Sequence, residues 1–156
     1  MPADRIEREI DIDAPIDVVW RVITEPEHIT GWFTDSVELD VRPGSEGRFG
    51  WDAKATNRKV VVNLRVERLD PPHYFSFRWN YPDGDEPSET NAPLVEFRLE
   101  GRGDSTRLHL VESGLEAILR SDEEKETFFA EHTLGWATIV ERLREYAPTQ
   151  RGIVAG

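Results

Sequence analysis

SDEEKETFFAEHTLGWATIVERLREYA, from Ser121 to Ala147, is the stretch on which the rest of the chain depends. At about 100 degrees per residue, Phe128, Phe129, His132, Gly135, Trp136, Ile139, Val140, Leu143 and Tyr146 fall on one side. Glu126, Glu131, Glu141, Arg144 and Glu145 fall elsewhere, so the spacing predicts an amphipathic helix. Ser121 and Glu124 have capping-box spacing, Asp122 to Glu124 suit the positive end of the helix dipole, and Pro148 stops the run. The apolar stripe is wide, aromatic and interrupted by a histidine. Such a stripe needs a large partner surface.

The preceding residues supply one. Ile6, Arg8, Ile10 and Ile12 alternate with charged neighbours and predict a half-buried strand ending at Ala14-Pro15. Pro15 suits the first turn of a short helix that buries Ile16, Val19, Trp20 and Ile23. Thr24 and Glu27 repeat the capping-box spacing, with Pro26 between them, and predict a second short helix carrying Ile29 toward Trp32 and Phe33. From Val37 the period becomes two. Val37, Leu39 and Val41, then Phe49 and Trp51, then Val60, Val62, Leu64 and Val66 mark successive strands. Turns fall at Pro43-Gly44 and Asp70-Pro71-Pro72. Phe75, Phe77, Trp79 and Tyr81 share the next face, a polar loop runs from Pro82 to Pro93, and Val95, Phe97 and Leu99 lead through a turn to Leu108, Leu110 and Glu112. The expected architecture is α+β: a curved antiparallel sheet of about six to seven strands around a long C-terminal helix, with two short helices after the first strand. Residues 1–147 are expected to form a single domain, and 148–156 a loose tail.

Composition narrows the chemistry. The chain has 156 residues and no cysteine, enough for one core without disulfides or thiolate sites. A net charge of −12 repels phosphate backbones and anionic lipid surfaces, so nucleic acid is not an expected partner. No apolar run approaches membrane-spanning length and no apolar leader follows Met1, so a cytoplasmic setting without membrane insertion is expected. His28, His73, His109 and His132 show no mutual pairing in the sequence, and no metal is expected. Gly101-Arg102-Gly103 lacks the third glycine of a dinucleotide loop, and no phosphate-binding loop or other cofactor signature occurs.

Several ordered motifs resemble one known family. Ala14-Pro15 with Val19-Trp20, Pro26-Glu27 through Trp32-Phe33, and Arg42-Pro43-Gly44 with Gly47-Arg48-Phe49 resemble its opening half. Ser45 stands where a second glycine is often found. Leu69-Asp70-Pro71-Pro72 before Phe75, Phe77 and Trp79, then Thr106-Arg107-Leu108 to Glu112-Ser113-Gly114, and Gly135-Trp136 to Leu143 resemble the remainder. Together they are similar to the START-like (SRPBCC) helix-grip superfamily, in the branch named after the activator of heat-shock protein 90 ATPase. The resemblance implies a cavity between sheet and long helix that holds an apolar small molecule in many relatives. It also implies two alternatives: a stress or chaperone regulator with a chaperone partner, and a cyclase-like enzyme.

The residues carry the cavity expectation independently. Phe49, Trp51, Phe75, Phe77, Trp79, Phe97, Phe128, Phe129 and Trp136 all face one interior, where rigid rings either wall a pocket or fill a plain core. His132 lies one turn from Phe128 and from Trp136 and needs an interior partner, whether a neighbouring group or a ligand. Glu112 faces inward by alternation or sits at a rim in water. If both line the cavity, they can orient a polar ligand end or act as an acid and base pair. The candidate ligand-binding residues are therefore Trp51, Phe77, Trp79, Phe97, Glu112, Phe128, His132 and Trp136.

Overall fold

The computed structural model describes residues 5–53 and 58–152. The elements run β1 (Arg5–Ile12), α1 (Ile16–Thr24), α2 (Pro26–Trp32), β2 (Ser36–Glu38), β3 (Glu46–Ala53), β4 (Arg58–Asp70), β5 (Tyr74–Tyr81), β6 (Leu94–Arg102), β7 (Ser105–Ser113) and α3 (Asp122–Tyr146). All strand pairs are antiparallel, in the spatial order β1-β7-β6-β5-β4-β3-β2. The expected α+β helix-grip architecture is the one observed: one curved sheet wraps α3, and the two short helices close its open side. Register breaks between Asn63 and Leu64 and between Val66 and Arg68 bend β4 against β5.

The two predicted capping boxes have opposite outcomes. At α3 the box forms: Ser121 Oγ accepts from the Glu124 backbone N–H at 3.1 Å and donates to Glu124 Oε1 at 3.0 Å. At α2 it does not. Thr24 still belongs to α1, its hydroxyl donates back to the Trp20 carbonyl at 2.7 Å, and Glu25 becomes the uncapped N-terminal residue of α2. The strand expected over Val37 to Val41 is only three residues long, because the chain turns at Asp40, where Arg42 N–H donates to the Asp40 carbonyl.

A further correction concerns Tyr81. Asn80 takes φ 66° and is skipped in the ladder, so Trp79 opposes Leu64 while Tyr81 opposes Asn63. The bulge reverses the alternation. Tyr81 leaves the inner face that Phe75, Phe77 and Trp79 share and joins Glu46, Arg48 and Asn63 on the outer one. Burial and the nearby Glu46 carboxylate push its phenol up to about 12.

The loop from Pro82 to Pro93 is exposed for most of its length. Pro87, Ala92 and Pro93 are nevertheless buried, and Thr90 accepts from Leu119 N–H. After α3, Ala147–Gln150 forms one 3-10 turn, and Arg151 bonds to the Asp13 carbonyl at 2.8 Å and to its carboxylate. Of the segment expected to be a loose tail, 148–152 is therefore seen to be attached, and 153–156 lie outside the described residues.

The long helix is gripped unequally. Trp136, Val140 and Leu143 are fully buried, all in its second half. Phe128 and Phe129 in the first half are only partly covered, and Leu134 is 73 % exposed. Arg8, on the inner face of β1, donates to the Thr133 carbonyl at 3.2 Å and ties the middle of the helix to the sheet edge. At the far end, Tyr146 lies across α2, and its hydroxyl meets His28 Nδ1 at 2.9 Å. Gly31 permits that crossing, since a Cβ there would lie 2.4 Å from the Tyr146 ring. Gly31→Ala should lower stability by about 1–3 kcal/mol, as overpacking does. Denaturant unfolding of G31A, Y146A and the double variant checks it, with the double expected to lose less than the sum of the singles.

Candidate functional site

The site is built on Glu112, the eighth residue of β7, whose side chain is 0 % exposed. Alternation turns Glu112 to the same inner face as Leu108 and Leu110, and pairing with Ile6 on one side and Val95 on the other holds it mid-sheet. Trp79 Nε1 donates to Glu112 Oε2 at 2.6 Å, while Trp136 Nε1 at 3.0 Å and His132 Nδ1 at 2.7 Å both reach Oε1. His132 and Trp136 sit one helical turn apart on α3, so both reach down to one carboxylate. Three N–H donors thus replace the water a buried carboxylate loses.

Around this centre the aromatic rings close on one another. Phe33 lies within 5.0–5.8 Å of Phe49, Trp51, Trp79 and Trp136, and stacks on Trp32 at 5.2 Å. Phe49, Phe75, Phe77 and Phe97 are fully buried. The deep interior is therefore a filled aromatic core. Near the middle of α3 a cleft of about 280 Å³ is lined by Trp51, Val60, Val62, Trp79, Asn80, Glu131, His132, Gly135, Trp136 and Ile139; larger, more polar depressions lie at the β3–β4 surface around Glu46 and Tyr81 and beside α2 around Thr34 and Asp52.

The eight residues singled out from sequence divide accordingly. Trp51, Trp79, His132 and Trp136 line the cleft. Phe77 and Phe97 lie in the closed core and Glu112 behind the cleft wall, so none of these three faces a guest directly. Phe128 backs the site, stacking on His132 with centroids 3.7 Å apart. Glu112 is inside the protein and not at a rim in water. The cyclase-like pairing therefore has His132, 18 % exposed, on the cleft but Glu112 out of its reach.

Three site residues are not legible as such in the sequence. Phe33 reads as the end of a short helix, and nothing local marks it as a hub. Asn80 reads as an outward strand residue, and only the bulge places it on the cleft. Gly135 belongs to the apolar stripe by period, but it packs against no neighbour: apart from the adjoining residues and the helix's own backbone, no atom lies within 4 Å of where its Cβ would be.

Among the described residues, Glu25, Glu27 and His28 bring ligand-type atoms within 4.8 Å of one another. Arg21 pairs with Glu25 at 2.7 Å and holds its carboxyl below the usual range, and His28 bonds to Tyr146. These groups join helices.

Glu112→Gln should destabilise the fold by about 1–3 kcal/mol, because an amide NH₂ must then face a buried N–H donor. Glu112→Ala should cost more, since it leaves three donors unsatisfied. Urea unfolding followed by tryptophan fluorescence checks both, and equal stability for all three proteins would contradict the burial of an ionised carboxylate.

No curated protein matches this chain. Solved structures share its fold. DynU16, from the dynemicin biosynthetic locus, is 24% identical with a TM-score of 0.72 over 95% of this chain and 48% of that one, so the chain spans about half of its length. The Aha1 dimer from Colwellia psychrerythraea is 18% identical with a TM-score of 0.73, over 96% of this chain and 100% of that one. NE0264 from Nitrosomonas europaea is 16% identical with a TM-score of 0.76, over 95% and 96%. At such identities the likeness concerns the fold. The family model of the Activator of Hsp90 ATPase homolog 1-like protein matches residues 13–147, and with the START-like helix-grip architecture already described, the chain belongs to that family.

Proposed function

We propose that this chain is a binding module that takes a small, flat, mainly apolar molecule in the cleft beside α3. The observation that carries this role is Gly135. A glycine in mid-helix costs roughly 1 kcal/mol relative to alanine, yet no neighbour here would collide with a side chain. The stability forgone leaves the cleft open. Its volume, about 280 Å³, lies at the low end of ligand sites, which span roughly 300–1,000 Å³. The filled core behind it argues against a bulky lipid and for a compact guest.

Kinship favours a second role, regulation of an Hsp90-type chaperone ATPase, because the family match spans 13–147 and the Colwellia psychrerythraea Aha1 dimer shares the fold. The comparisons support this role more strongly, and the geometry supports the first. Among the described residues no helix is long and apolar enough to cross a membrane.

Gly135→Ala should stabilise the fold by about 0.5–1 kcal/mol. Gly135→Leu should remain folded and fill the cleft. In thermal-shift and native mass-spectrometric screens, neutral aromatics should then bind the natural protein and G135A but not G135L. If no compound binds any of the three, the cleft role fails. The chaperone role is measured separately, with the Hsp90 of the host: a complex and faster ATP turnover are expected. Absence of both would remove it.

A further inference from the structure

We propose that the guest of this cleft is a neutral aromatic molecule bearing a hydroxyl, anchored by that hydroxyl on His132 Nε2. The inference rests on the cleft role above and names the chemistry the cleft selects.

His132 Nδ1 lies 2.7 Å from Glu112 Oε1. An ionised carboxylate only accepts, so Nδ1 carries the hydrogen and its place is occupied. One face of the imidazole is covered by Phe128, with centroids 3.7 Å apart, and Trp79 meets the ring edge-on at 5.5 Å. His132 nevertheless remains 18 % exposed and lines the cleft. The edge left for a guest is the one that carries Nε2.

Besides His132, the polar side chains among the lining residues are Asn80 and Glu131, and the other walls are apolar. Three indoles line the cleft, and each spends its N–H on the protein: Trp79 and Trp136 on Glu112, and Trp51 on the Phe33 carbonyl at 2.8 Å. They present carbon alone. A flat ring suits such walls. No lysine or arginine lines the cleft, and Glu131 stands among the lining residues, so a carboxylate or phosphate has no counter-charge there. A hydroxyl meets the remaining requirement, because it donates to the bare Nε2 that the Nδ1–H tautomer leaves facing outward. Glu112 acts here only through His132, as a positioning residue that sets which ring nitrogen faces outward.

The probes are 2-naphthol and 2-methoxynaphthalene, which share a ring system and differ in the hydrogen of the hydroxyl. Natural protein should bind 2-naphthol about five- to tenfold more tightly, the worth of one hydrogen bond. His132→Phe, which keeps a flat ring over Phe128, should bind the two alike. Because that variant loses a donor to Glu112 and its folding is not assured, a second measurement uses the natural protein. The ¹⁵N resonance of His132 Nε2 should move far more with 2-naphthol than with the ether, whose ring current is similar, while Nδ1 moves little. Equal affinities and equal ¹⁵N shifts, with both compounds excluded by Gly135→Leu, would overturn the hydroxyl anchor and leave the cleft role standing. Failure of both compounds to bind would overturn the anchor together with the cleft role for aromatics of this size.

Discussion

The carboxylate of Glu112 is the one charged group among the fully buried side chains of the described residues, and the arrangement of three elements depends on it. Removing a carboxylate from water costs several kcal/mol even after relaxation. Two indole N–H groups and one imidazole N–H offset that cost, each charge-assisted bond contributing about 1.5–3 kcal/mol. Those donors come from β5 and α3, and the acceptor from β7. An apolar side chain on β7 would tolerate small rotations of the helix. The carboxylate does not, because turning α3 about its axis would draw His132 and Trp136 away together. Hydrophobic burial holds the helix down, and this polar centre sets its azimuth.

That division of labour explains where the molecule is closed and where it is open. Rings from Phe33, Phe49, Phe77 and Phe97 pack on the sheet at centroid spacings of 5.0–6.3 Å and leave no room in the deep interior. Trp79 and Trp136 lie between that core and the cleft, with their nitrogens turned to Glu112 and 5.6 Å between ring centroids. The cleft begins where α3 carries glycine in place of a side chain, opposite Val60 and Val62. Val60, aligned by alternation with Leu64 and Val66, is 49 % exposed for that reason: it faces inward, but onto the cleft.

Long-range periodicity makes the fold legible in the sequence. The two-residue alternation through β3 to β7 and the helical stripe from Phe128 to Tyr146 each repeat often enough to outweigh local irregularity. Single-position signals are less dependable. Thr24 and Ser121 carry the same capping spacing, yet only Ser121 caps, since Thr24 is still inside the preceding helix. Asn80 overturns the alternation at Tyr81 through one positive φ that the pattern does not reveal. At the site, the inward direction of Glu112 and His132 follows from period. Their bond to each other does not, because it joins a strand to a helix at a distance that only the packed sheet determines. The emptiness beside Gly135 is hidden for a related reason: a missing side chain on an apolar stripe looks the same whether it admits a neighbour or a guest.

The unequal grip on α3 sets different tasks for its two ends. Trp136, Val140, Leu143 and the Tyr146 crossing anchor the C-terminal half, whereas Phe128 and Phe129 are only partly covered. If the cleft takes a guest as proposed, one slightly too large for it would meet less packed resistance toward the amino-terminal turns than toward the anchored end. The range of sizes accepted and the durability of the fold are then governed by different residues of one helix. Under that role, substitutions at the cleft would widen or narrow the first with little effect on the second.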